Sequence, residues 1–138
     1  MVANSKARSA VAQGGRGQGA AAPSATNIVV LVGRLSGAPS MRVLPSGDEL
    51  TAWRLVIDRD PAAVTRSSSP RAPSVDTIDC VAFKRGVQRL AARWASGDVI
   101  EARGALRRRF WRGAAGAAAS RYEVEVSEAR RLVAASAR

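Results

Sequence analysis

The sequence has no histidine and a single cysteine, Cys80. These two shortages exclude whole classes of chemistry. A structural zinc site takes about four Cys or His ligands, so none can be assembled. One cysteine cannot close a disulfide within the chain. Ser–His and Cys–His catalysis need an imidazole that is not there. There is also no phosphate-cradling loop ending in Gly-Lys-Ser/Thr and no evident pair of carboxylates. The expectation is therefore a protein without catalytic residues, bound metal or cofactor. No apolar run approaches the roughly 18 residues of a membrane span. The N-terminus lacks the apolar core of a secretory signal. A cytoplasmic protein with no membrane partner is expected.

Acidic residues are scarce as well, 11 against 22 Lys and Arg, which leaves a net charge of +11. A surplus of this kind on a small chain points to a polyanionic partner. Its location matters more than its size. Residues 27–60 and 75–102 are each neutral, whereas residues 103–112 alone carry +5. Smaller surpluses fall in residues 1–26, 61–74 and 120–138. The charge is thus concentrated in tails, one loop and one short stretch, as a binding footprint would be.

Residues 1–26 are Ala, Gly, Ser and Gln with Lys6, Arg8 and Arg16, the composition of a disordered basic tail. From residue 27 to 133 the texture is that of one folded domain, followed by a short C-terminal tail at 134–138. Asn27–Leu35 (NIVVLVGRL) is rich in β-branched residues and reads as a strand, bent at Gly33. Pro45-Ser46-Gly47-Asp48 is a turn. Glu49–Asp58 alternates cleanly, with Trp53, Leu55 and Ile57 turned to a core and Arg54 outward. Residues 60–74, with three prolines and four serines, form a long loop. Val75–Phe83 is a third strand with Ile78, Cys80 and Ala82 on one face. Lys84–Ala95 changes period: Val87, Leu90, Ala91 and Trp94 make an amphipathic helix, ended by Gly97. Asp98–Trp111 is a fourth strand bending at Gly104, residues 113–119 a hairpin tip, and Ser120–Ser127 a fifth strand. Five strands with one α-helix between the third and fourth is the pattern of an all-β OB-fold barrel.

Binding unpaired nucleic acid without sequence preference needs cations for phosphates and exposed aromatic faces for bases. Arg103–Arg112 (RGALRRRFWR) offers both. In a strand, Arg107, Arg109 and Trp111 point one way and Arg108 and Phe110 the other. The competing reading is an edge strand that uses Arg to block aggregation; five Arg in ten residues without an acid, interleaved with Trp, make that the weaker one. Phe83, just before Lys84-Arg85, is either a stacking face or a core residue at the strand end. Trp53 and Trp94 have the periodicity of core residues, and Cys80 that of a small buried hydrophobe.

Five segments, NIVVLVGRL, MRVLPSGDEL, DTIDCVAF, SGDVIEARGALRRRFW and SRYEVEV, stand in an order and spacing that resembles the bacterial single-stranded DNA-binding proteins over residues 26–133. The resemblance implies an OB barrel, usually a homotetramer, that coats single-stranded DNA in replication, recombination and repair. It implies stacking roles for Phe83 and Trp111 and phosphate roles for Arg107 and Arg109. Arg103, Arg112, Lys84 and the outward Arg54 complete the expected nucleic-acid-binding set. Three departures stand out. Thr77 replaces a usual aromatic, Arg59 and Asp60 stand where some members carry another, and Asp79 puts a negative charge on the expected binding face. The family's acidic C-terminal tip is also missing from Ala134–Arg138, which implies a paralogue that does not recruit repair enzymes by that route. Two other readings remain at this point: an RNA-binding OB-fold protein, separated by comparing DNA and RNA oligonucleotides, and an OB-fold subunit of a protein complex that has lost DNA binding, for which Trp111→Ala changes nothing.

Overall fold

The computed structural model describes residues 22–62, 73–113 and 115–135. Most of the expected basic tail (1–21) and of the expected loop (63–72) lies outside the described residues, as do residues 136–138. The strands are β1 (Val29–Leu35), β2 (Ser40–Val43), β3 (Glu49–Asp58), β4 (Val75–Ala82), β5 (Val99–Arg112) and β6 (Ala118–Val133). One helix, α1 (Arg85–Ala91), connects β4 to β5.

The strands form a ring in the order β1-β5-β6-β4-β3, which returns to β1 through Arg34↔Val56 and Leu35↔Leu55. All neighbours are antiparallel except β4 and β6. This is the five-stranded OB arrangement read from the sequence. The sixth strand is not an additional member of the ring. β2 lies on the same edge of β3 as β1, from Ser40↔Ala52 to Val43↔Glu49. It continues the ladder that β1 begins, after an interruption in which Gly37 takes a positive φ of 85°. The first strand therefore comes in two pieces, because Gly37 and Pro39 break it.

Two glycines permit the closure. A Cβ on Gly33 would lie 2.7 Å from the Val56 carbonyl oxygen, where β1 closes against β3. A Cβ on Gly104 would overlap the Glu125 carbonyl, at the point where the β5–β6 register shifts between Arg103 and Gly104. Side chains larger than hydrogen would force these backbones apart.

The alternating apolar positions meet inside the ring. Leu35, Trp53, Leu55, Cys80, Ala82, Ile100, Ala102, Val124 and Val126 are buried together, and Val87, Ala91 and Trp94 close one end. Trp53 and Trp94 pack edge to face with centroids 5.2 Å apart, as their periodicity indicates. Burial pushes the Cys80 thiol up to about 12, helped by the charges of Asp79 and Glu123, so it is an inert packing residue at neutral pH. The helix is shorter than its periodicity suggests, and Leu90 is exposed rather than inward. With only two turns, the core stripe is filled by Val87 and Ala91. Gln88 is buried instead, and its Nε2 donates to the carbonyls of Glu49, Ala82 and Phe83. It ties the helix to the start of β3 and the end of β4.

Asp98 secures the far end of the ring. Its carboxylate accepts the N–H groups of Ala135 (2.7 Å) and Ala95 (2.9 Å) and meets Arg131 at 3.4 Å. These hydrogen bonds, Ala135's first, hold its pKa below the usual carboxylate range.

Candidate nucleic-acid interface

β5 and β6 outrun their neighbours. The β1–β5 ladder ends at Val29↔Gly104, where the Asn27 side chain takes over: Oδ1 accepts the Leu106 N–H and Nδ2 donates to the Leu106 carbonyl, both at 2.8 Å. β6 meets β4 only at Cys80↔Val124 and Val81↔Glu125. From Arg107↔Glu123 to Arg112↔Ala118 the two strands therefore continue as a ribbon-like arm with two accessible faces. Cross-strand partners share a face. Arg107, Arg109 and Trp111 lie with Glu123, Arg121 and Ala119 on the face continuous with the outside of the ring, since Val124 points into the core.

That outer face is organised around one carboxylate. Glu123 is almost fully buried although it stands on the outside. Arg109 Nε donates to its Oε2 at 2.6 Å, and Arg121 Nη2 lies 3.6 Å from its Oε1. The same two guanidinium groups sit over aromatic rings. Arg109 is 5.7 Å from the centre of Phe83, and Arg121 is 5.9 Å from that of Trp111. Both separations are within cation–π range. A chain of contacts thus runs Phe83–Arg109–Glu123–Arg121–Trp111. Two aromatic rings are held in place without being buried: Phe83 is half-exposed, and Trp111 retains 46 % of its accessible surface.

Neighbouring cations extend the site. Arg107 pairs with Glu125 at 3.3 Å. Arg54, on β3, pairs with Asp79 on β4 at 2.9 Å, so the negative charge at Asp79 is matched across the strands. A shallow groove lined by Arg42, Arg54, Asp79, Val81 and Arg121 connects this pair to the Trp111 cluster. Thr77, on the same side of the sheet as Val56, supplies no ring.

The sequence-derived set is divided by the fold. Phe83, Arg107, Arg109 and Trp111 come together, and Arg54 joins them through the groove. Arg103 does not. It lies eight residues before Trp111 on the same strand, roughly 27 Å away at strand spacing, beside Val30 and Glu128. Lys84 is also apart, with its Nζ donating to the Ser127 carbonyl at 3.5 Å. Arg112 is on the opposite face of the arm, where its Nη1 donates to the Gly116 carbonyl. Sequence reasoning missed Arg121, Glu123 and Arg42. The only signal in the sequence of the role of Glu123 was its place on the strand that follows a run of arginines.

No curated protein matches the sequence. Among solved structures the fold is similar to a Plasmodium falciparum SSB in complex with ssDNA, with a TM-score of 0.63 and 16 % identity over 82 % of this chain and 98 % of that one. Identity that low speaks to the fold alone. The family assignment rests on the model of the single-strand binding protein family, which matches residues 26–132, from just before β1 almost to the end of β6. The chain belongs to the single-strand binding protein family, whose members bind single-stranded DNA and carry out no catalysis.

Proposed function

We propose that the protein holds single-stranded DNA on the outer face of β3, β4, β6 and β5, with bases stacked on Trp111 and Phe83. Phosphates follow Arg107, Arg109 and Arg121 and continue along the groove at Arg54 and Arg42. The observation that carries this reading is the pre-set pair of half-open rings, each backed by an arginine, beside a cationic groove. Such a surface suits unpaired DNA because duplex hides its base faces. The physiological setting is protection of single strands in replication, recombination and repair, in the cytoplasm at the nucleoid. The working form is a homo-oligomer, a tetramer by family resemblance. The exposed apolar row of Ile28, just before β1, with Val30 and Val32 on its outside supports association between copies.

The test is a titration of intrinsic tryptophan fluorescence with a poly-dT oligonucleotide at two salt concentrations, with duplex as control. Trp53 and Trp94 are buried, so quenching reports Trp111. Strong quenching by the single strand alone, weakening steeply with salt, is the expected result. No quenching, or an equal response to duplex, removes the stacking role and hands the interface to a protein partner.

A further inference from the structure

The arm has a second face that the reading above does not use. Arg108, Phe110 and Arg112 lie there with Tyr122, Ser120 and Ala118 opposite. Phe110 is 67 % exposed and Tyr122 59 %, large values for aromatic side chains. They are not loose. The Arg108 guanidinium lies 5.0 Å from the Phe110 ring centre and 5.4 Å from that of Tyr122, so the three form one cationic–aromatic cluster. Among the described residues Arg108 otherwise reaches only the Ser120 hydroxyl, and Arg112 only the Gly116 carbonyl.

Charge distinguishes this face from the other exposed surfaces. Among residues 106–112 and 118–124 it holds two arginines and no acid. The opposite face of the arm sets Arg107, Arg109 and Arg121 against Glu123 and Glu125. The apolar row on β1 is different again: Val30 lies beside Glu101, Arg103, Glu128 and Arg130, a balanced set suited to another copy of the chain. An acid-free face with two open rings is complementary to a polyanion with accessible bases. The described residues between the faces, 113 and 115–117, are glycine and alanine only and offer little obstruction.

We propose that Phe110 and Tyr122 are a second stacking platform for the same single strand, with Arg108 and Arg112 meeting its phosphates. The strand leaves Trp111, rounds the small-residue tip and returns along the opposite face. The arm is gripped on both sides, and its second face adds to the site only for strands long enough to make the turn. This inference rests on the strand-binding role of the Trp111 face.

The experiment compares two poly-dT lengths, one of about 8 nucleotides, within the roughly 4–16 of a single OB-fold site, and one several times longer. Proteins are the wild type, Phe110→Ala/Tyr122→Ala, Arg108→Gln/Arg112→Gln and, separately, Trp111→Ala. All four second-face side chains project from the arm into solvent, so the core is untouched. The expected result is that both double variants weaken the long strand by about 10-fold or more, on the scale of one lost stack, and leave the short strand within about twofold. Unchanged long-strand affinity in both double variants overturns the proposal. So does unchanged affinity with an altered mass in sedimentation, which reassigns the face to contact between copies. If Trp111→Ala leaves both lengths unaffected while the second-face variants abolish binding, the Trp111 reading fails and this face is the primary site.

Discussion

Glu123→Gln isolates the device at the centre of the interface. In the wild type, Arg109 and Arg121 share one buried carboxylate, so the three groups together carry a single positive charge. Glutamine preserves shape and can still accept the Arg109 hydrogen bond, but the group's charge rises to two. Each phosphate neutralised on a single strand contributes a slope of about −0.7 to the dependence of log K on log salt. One additional free guanidinium should therefore steepen that slope by about 0.7 and tighten binding at low salt. Stability should move the other way. Arg109 keeps a hydrogen bond to the amide oxygen, but the ion pairs of Glu123 with Arg109 and Arg121 are lost; at up to about 1 kcal/mol for each part-exposed pair, the variant should lose about 1–2 kcal/mol. The slope comes from oligonucleotide titrations between roughly 50 and 200 mM salt. The stability comes from urea midpoints at constant m-value. A salt slope identical to wild type, with the stability loss present, would show that Arg109 and Arg121 stay off the phosphates. The outer face would then be held together by Glu123 for packing alone.

Three other outcomes follow from the same geometry. Trp111→Ala should cost about 1–3 kcal/mol of single-strand affinity, whereas Trp111→Phe should keep most of the affinity and lose the fluorescence quenching, because the other two tryptophans are buried; equilibrium binding and fluorescence on the two variants separate these effects. Gly104→Ala should destabilise by about 1–3 kcal/mol or more, since the new methyl meets the backbone of Glu125 rather than a movable side chain, and chemical denaturation measures it. Asp98→Asn should lower the thermal midpoint at neutral pH, because one of the two N–H groups aimed at the carboxylate then meets an amide NH2. Asp98 has a depressed pKa in the folded state, so its contribution is fully present above the unfolded value of about 3.9 and is lost as pH falls through the folded value. The gap between wild type and variant should close on acidification, and midpoints measured down the acidic range test the sign.

The residues show which parts of this protein are local properties of its chain. Alternation put Trp53, Leu55, Cys80 and Ala82 in the core, and they are there. The change of period after Phe83 located the helix, though its few turns left Leu90 outside. Gly33 and Gly104 marked the two places where backbones pass too close for a side chain. The division of Arg103–Arg112 into two faces was also legible, because strand geometry alone determines it.

The pairing of charges was not legible. Arg54 meets Asp79 across 25 residues, and Arg109 meets Glu123 across 14. Which acid faces which arginine depends on the β3–β4 register for the first pair and the β5–β6 register for the second, and the latter shifts at Arg103/Gly104 in a way no local pattern records. Tertiary structure likewise removed Lys84 and Arg103 from the Trp111 cluster and brought in Arg121. By itself the sequence determined the element order, the inside and the outside, and the supply of cations and rings, because these follow from periodicity and composition along the chain. Which cations are tied and which rings stand open was decided only when ring closure set distant strands side by side.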